Sequence, residues 1–179
     1  LAQRQRGQPR GPEPGPGELL VRVRAAGVNP LDYKIRDGAV KVLLPFSFPL
    51  ILGTDVAGDV AAVGPGVTRF VVGDAVYSRL DNDHIGAFAE YAVVRESAAA
   101  QKPARLDYAE AASLPLVGLT AWQALIDLAQ LRAGQKVLIH AGSGGVGTFA
   151  IQLAKHLGAQ VATTASARNH ALVKSLGAD

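Results

Sequence analysis

Gly142, Gly144 and Gly147 form a G-x-G-x-x-G spacing within the stretch that runs from Lys136 to Thr148. The chemistry served by that spacing is the holding of a pyrophosphate. Glycines let the chain turn sharply, bring backbone N–H groups close to phosphate oxygens, and let a helix pack tightly on the preceding strand. The positive end of the helix dipole then faces the anion. The whole turn, Gly142, Ser143, Gly144, Gly145, Val146 and Gly147, is therefore a candidate dinucleotide cradle. A strand–helix turn with only a structural role would carry the same letters, so context has to separate the two.

The flanking elements supply that context. Val137 to Ile139 is a short apolar run suited to one buried parallel strand. Beyond the turn, Val146, Phe149, Ala150, Leu153, Ala154 and Leu157 recur at helical spacing, and Gly158 is placed to end the helix. A second apolar segment, Gln160 to Thr164, predicts the next strand. Strand, glycine turn, helix and strand in that order favour the dinucleotide reading. The second strand runs on through Thr163 and Thr164 to Ser166 and Arg168, without the acid that holds a ribose 2′-hydroxyl in NAD-preferring units. Ser166 and Arg168 instead suit a 2′-phosphate, with Arg168 as its charged partner. The alternative has Ser166 capping the next helix and Arg168 solvated. The missing carboxylate and the arginine agree on NADPH as the cofactor.

Composition narrows the classes. Hydrophobic residues make up 49% of the 179, enough for a sizeable core in one domain or two incomplete ones. The absence of cysteine excludes a disulfide scaffold, a thiolate metal site and a cysteine nucleophile, and it fits a cytoplasmic location. The net charge of +3 gathers partly in Arg4, Arg6 and Arg10. No aromatics interleave with these, so a nucleic-acid partner is not indicated. Pro45, Pro49, Gly53 and Asp55 interrupt the longest apolar run, so a membrane partner is not indicated either. The start carries no secretory pattern, and it opens on Leu1 in place of a methionine, which suggests a missing or cleaved beginning.

In chain order, residues 1–17 read as a flexible lead-in rich in Gln, Arg, Pro and Gly. Residues 18–102 read as a β-rich domain. Val21 and Val23 alternate with Arg22 and Arg24 over a strand from Glu18 to Ala25, and Gly27 to Gly38 is a polar, turn-rich segment. Asp55 to Val63, Gly73 to Tyr77 and Ala87 to Val94 follow as short strands, which together predict a partly closed barrel. Asp81 and Asp83 lie beside Asn82 in a solvated loop. Residues 103–134 read as connecting helices: Tyr108 to Ser113, capped by Asp107, then a longer amphipathic one carrying Ala121, Ala124, Leu125, Leu128 and Ala129. Residues 135–179 hold the glycine turn and end in a helix over Ala167 to Leu176.

Seven stretches in order carry a resemblance. They are Pro14 to Glu18, Gly27 to Tyr33, Gly53 to Asp55, Gly73 to Val76, Gly86 to Tyr91, Leu119 to Trp122 and Ala141 to Gly147. In these the chain resembles the medium-chain dehydrogenase/reductase superfamily, in its zinc-free quinone oxidoreductase and enoyl reductase branch. The resemblance implies an α/β protein: a β-rich GroES-like partial barrel for the substrate, followed by the first part of a Rossmann domain with its doubly wound parallel sheet. Zinc-dependent members carry Cys where Asn29 stands and His-Glu where Thr54 and Asp55 stand. His84, His140, His156 and His170 share no ligand spacing, so no metal is expected.

The resemblance further implies that Asn29, Tyr33 and Thr120 lie near the nicotinamide, Asn29 and Tyr33 as catalytic residues and Thr120 on the cofactor, with the substrate a small quinone or α,β-unsaturated carbonyl compound. Tyr33 is the one plausible proton donor among them, against the alternative that it only packs over substrate while water donates. Asp32 is either catalytic or fixes a turn, or pairs with Lys34 or Arg36, and Thr120 at a helix start could simply cap it. A homodimer is implied for the full-length protein. A non-catalytic nucleotide-binding or interaction protein of the same family is the other reading. Residues 1–179 by themselves are expected not to be a working enzyme, because only the strands at Val137–Ala141 and Gln160–Thr164 of the family's larger parallel sheet are present.

Overall fold

A computed structural model describes residues 12–179. The basic stretch Arg4, Arg6 and Arg10, with most of the lead-in, lies outside the described residues. The chain divides into two compact units, the first ending at Pro115 and the second running Leu116–Asp179. The helices read from sequence as one connecting segment fall on both sides of that division.

The first unit is built on β1 (Glu18–Gly27), β2 (Asp55–Val63), β3 (Ala75–Arg79), β4 (Tyr91–Arg95) and β5 (Ala99–Gln101), antiparallel in the order β4-β1-β2-β3-β5. The alternation of valine and arginine in β1 puts Leu19 and Val21 into the core with Val56, Val60, Val76 and Val94. β4 and β5 are the two edges, yet only the short helical turn Glu96–Ala98 joins them. A flat sheet of five strands would separate its edges by ~19 Å, which one such turn of ~6 Å cannot span. The sheet therefore curls toward closure as a partial barrel. Gly58 sits at a close crossing of β1 and β2, where a Cβ would come within 2.1 Å of the Arg22 carbonyl oxygen.

Two sequence expectations move here. The segment from Gly27 to Gly38 is not merely turns: Pro30–Arg36 forms helix α1, with Asn29 at its N-cap and proline in the first turn. The pair Asp81 and Asp83 is not left to solvent, because Arg95 reaches them at 3.0 and 2.6 Å. Arg95 first, then His84, hold the Asp83 carboxyl below the usual carboxylate range.

Helix α2 (Tyr108–Ala112) is capped as expected, the Asp107 carboxylate accepting from the Glu110 N–H. It is tied to the sheet by the Tyr108 hydroxyl, which donates to Asp59, whose other oxygen takes Arg24 at 2.7 Å. Tyr108 first, then Arg24, hold the Asp59 carboxyl below its ordinary range. Asp59 thus ionises more readily folded than unfolded, and its contribution is complete above the ordinary Asp value and lost as pH falls through the folded one. Tyr108→Phe is expected to cost about 1–2 kcal/mol at neutral pH, with the deficit shrinking below about pH 4. Denaturant unfolding of both proteins across that range is the check.

The second unit holds all of α3 (Pro115–Trp122) but its first residue, then β6 (Lys136–Ile139), α4 (Gly145–His156), β7 (Gln160–Thr163) and α5 (His170–Ser175). β6 and β7 pair in parallel, in register from Lys136 with Gln160 to Ile139 with Thr163. Ala150, Ile151 and Ala154 of α4 pack with Val161, Ala121 and Leu125. The helix after Trp122 widens into a π-helical turn, Gln123–Leu128. The expected apolar stripe is only partly used: Ala121 and Leu125 are buried, whereas Ala124, Leu128 and Ala129 face outward. β6 is parallel as expected but half-exposed. α4 covers one face, and Leu138 on the other is 57% exposed. The last expected helix begins as a tight turn over Ala167–Asn169, and α5 proper starts at His170. Among the described residues no helix is long and apolar enough to cross a membrane.

Candidate functional site

In the second unit the glycine turn leaves β6 at Ile139 and enters α4 at Gly145. The left-handed backbone position is Ala141, with φ 53°, and none of the motif's glycines has positive φ. The glycines serve close approach instead. A Cβ on Gly142 would stand 2.1 Å from Thr163 Oγ1, and one on Gly147 would stand 2.4 Å from the Ala141 carbonyl oxygen. Thr164 fixes the turn to the end of β7: its Oγ1 accepts from the Ala141 N–H at 3.0 Å and its carbonyl from the Gly142 N–H at 2.9 Å.

Gly144 is the N-cap of α4, and Gly144, Gly145 and Val146 are exposed. The N–H groups of Gly145, Val146 and Gly147 belong to the first turn, where no intrahelical acceptor exists. No acidic side chain sits in that turn to offset the helix dipole. An open, glycine-lined helix start with uncompensated donors fits the pyrophosphate of a dinucleotide. Ser143, half-buried beside it, accepts a hydrogen bond from the Asn169 amide at 3.0 Å. Sequence reasoning missed that partner, which lies in the segment after β7.

The same segment carries Ser166 and Arg168, both exposed. Ser166 stands at the start of the tight turn, but its side chain makes no cap bond. Arg168 has no hydrogen bond or ion pair among the described residues. The Asp179 carboxylate is held by Lys155 and the Val161 N–H. Thr120 lies near the end of α3 and not at its start, because Pro115 opens that helix. Its hydroxyl donates one turn back to the Leu116 carbonyl at 2.7 Å.

In the first unit, Asn29 and Thr54–Asp55 converge. These are the positions at which zinc-dependent members of the resembled superfamily carry ligands. Here they form an amide, a hydroxyl and a carboxylate, all nearly withdrawn from water. Asn29 Nδ2 donates to Asp55 Oδ2 at 2.9 Å and lies 3.5 Å from Thr54 Oγ1. Asp32 starts α1 by accepting the Asn29 N–H at 2.7 Å, and it is 3% exposed. Its other oxygen, Oδ1, has no hydrogen-bond partner among the described residues. It does not pair with Lys34 or Arg36; Arg36 turns to Asp37. Tyr33 projects from α1 with 48% of its surface exposed. Among the described residues no group of three His, Asp or Glu side chains is arranged to hold a metal ion.

The alcohol dehydrogenase GroES-like domain family matches residues 15–104. A chloroplastic quinone-oxidoreductase homolog of Spinacia oleracea is 46% identical over 173 residues, 94% of this chain and 53% of that protein. The quinone oxidoreductase of Coxiella burnetii superposes with a TM-score of 0.88 at 44% identity, covering 96% of this chain and 55% of that one. A mycobacterial protein complexed with NADPH superposes with a TM-score of 0.84 at 41% identity, over 98% of this chain and 52% of that one. The chain thus spans about half the length of the relatives it matches. With the GroES-like match, the curled antiparallel sheet and the parallel strand–glycine turn–helix–strand unit after it, the chain belongs to the medium-chain dehydrogenase/reductase superfamily, in the branch whose similar members are named quinone oxidoreductase and enoyl reductase.

Proposed function

We propose that the protein carrying this chain is an NADPH-dependent oxidoreductase that reduces a quinone or an α,β-unsaturated carbonyl compound without zinc. The observation that carries the reading is the open helix start at Gly144–Val146, with its free first-turn donors and no acid beside them. When bound, the nicotinamide supplies the hydride. The residues of this chain bind and orient it. The first-turn N–H groups of α4 and the Ser143 hydroxyl hold the pyrophosphate, and Ser166 and Arg168 take the 2′-phosphate. Thr120 is assigned to the nicotinamide end of the cofactor.

Asn29 has a positioning role in this reading. Its amide is committed to Asp55, and it fixes the shape of the buried polar floor from which α1 presents Tyr33. Tyr33 then hands a proton to the enolate or quinol oxygen left by reduction, and its exposure leaves it open to a substrate.

Arg168→Ala tests the cofactor assignment. In the natural full-length polypeptide it is expected to weaken NADPH binding by about 1.5–3 kcal/mol and leave NADH nearly unchanged. Titration of both cofactors reads this directly. Equal affinity of the unaltered protein for NADPH and NADH would refute the assignment.

A further inference from the structure

Asn169 occupies the N-cap of α5, a position where asparagine normally turns its side chain onto the first-turn N–H groups. Here it makes no such bond. Its Nδ2 instead donates to Ser143 Oγ, 26 positions earlier in the chain and in the middle of the glycine turn. The contact is half-buried on both sides.

A serine hydroxyl has one proton and two lone pairs. Once Asn169 fills a lone pair, the proton of Ser143 must point elsewhere, and among the described residues it meets no acceptor. Ser143 lies next to Gly144, at the mouth of the α4 N-terminus. A phosphate oxygen seated over that helix start is an acceptor of the right kind and charge.

We propose that Asn169 is a positioning residue for the dinucleotide, acting through Ser143. It presents the Ser143 hydroxyl proton to the pyrophosphate. It also ties the turn that holds the pyrophosphate to the segment that carries Ser166 and Arg168. The two ends of the cofactor's phosphate recognition are thereby set at a fixed spacing before the cofactor arrives, so less ordering is left for binding to supply. The inference rests on the dinucleotide reading above and deepens it.

Two variants of the natural full-length polypeptide separate this role from a merely structural one. Asn169→Ala removes the donor and is expected to raise the NADPH dissociation constant roughly tenfold. Asn169→Asp is the sharper probe. A negative charge in the first turn of a helix is favoured by the helix dipole, so the melting temperature should hold or rise. The aspartate carboxylate, however, accepts from Ser143, which captures the proton meant for phosphate and brings a negative charge beside it. The expected loss of NADPH affinity is roughly a hundredfold. In the Ser143→Ala background, Asn169→Ala should then change the dissociation constant by less than about twofold, as two members of one hydrogen bond require.

The measurements are calorimetric titration with NADPH and thermal unfolding of each variant. A stable Asn169→Asp protein with weakened NADPH binding, together with non-additive alanine variants, supports the proposal. Asn169→Asp binding NADPH as tightly as the unaltered protein, or alanine effects that simply add, would overturn it while leaving the cofactor reading intact. An unaltered protein that binds neither NADPH nor NADH would remove both.

Discussion

Replacing Asn29 with aspartate is expected to destabilise the first unit by about 3–5 kcal/mol at neutral pH, and acid should reverse most of the loss. Asn29 and Asp55 are buried and 2.9 Å apart. The amide is a donor that the Asp55 carboxylate uses, and a second carboxylate in its place offers only repulsion. Two such groups cannot both ionise out of contact with water, so the pair takes up a proton on folding. Its folded proton affinity then exceeds the unfolded one. The variant's deficit is therefore small below about pH 4 and grows as pH rises past the ordinary carboxylate range. Asn29→Ala, which removes the donor without adding charge, should cost only about 1–3 kcal/mol. Denaturant unfolding of the three proteins between acid and neutral pH separates these effects. A deficit for Asn29→Asp that does not vary with pH would show that the buried contact with Asp55 is not formed.

The second large effect separates two glycines of the same turn. Alanine at Gly147 would place its Cβ 2.4 Å from the Ala141 carbonyl oxygen and 2.7 Å from Gly142 Cα. Both are backbone atoms of the turn, so relief requires the turn to open. Gly147→Ala should cost about 2–4 kcal/mol of stability in the second unit and abolish dinucleotide binding with it. Alanine at Gly144 meets nothing nearer than 3.3 Å, and the backbone there is extended, at φ −84° and ψ 169°. Gly144→Ala should stay within about 1 kcal/mol of the unaltered protein in stability. It should still lose NADPH affinity, because the new methyl stands where the pyrophosphate approaches the backbone. Hydrogen exchange at Thr163 and Thr164, paired with NADPH titration, reads both quantities. Equal losses of stability in the two variants would contradict the distinction.

How much of this was legible in the sequence depends on the separation of the partners. β2 appeared with its full extent, Asp55–Val63, because alternation and the Gly64–Gly66 turn are local signals. α4 was legible from spacing alone, with Gly158 closing it at φ 80°. β3 lies two residues later than the valine and tyrosine pattern suggested, because Asp74 is drawn into a turn with Val71. α1 was missed although its signal was present. Asn29, Pro30 and Asp32 are a cap, a first-turn proline and a third-position acid, but seven residues are too few for an apolar stripe to register. The exposed side of the π-helical turn after Trp122 could not be foreseen either. One wide turn rotates every later side chain, and Leu128 is left 83% exposed.

The site shows the same division. The glycine spacing and the missing acid after β7 were readable because they are contiguous. Asn29 with Asp55, Ser143 with Asn169 and Arg95 with Asp81 are pairs made by folding, and composition marks none of them. Asn169 carried no signal of its own, because it falls inside the helix read over Ala167 to Leu176 with Ser166 as the capping candidate.

Cofactor consumption tests the central claim most directly. The natural full-length polypeptide, supplied with a simple quinone or an enone, is followed by the loss of reduced-nicotinamide absorbance. The account predicts turnover that depends on the acceptor, with NADPH used at a clearly lower KM than NADH. No turnover with either class of acceptor, or equal use of the two cofactors, would contradict it.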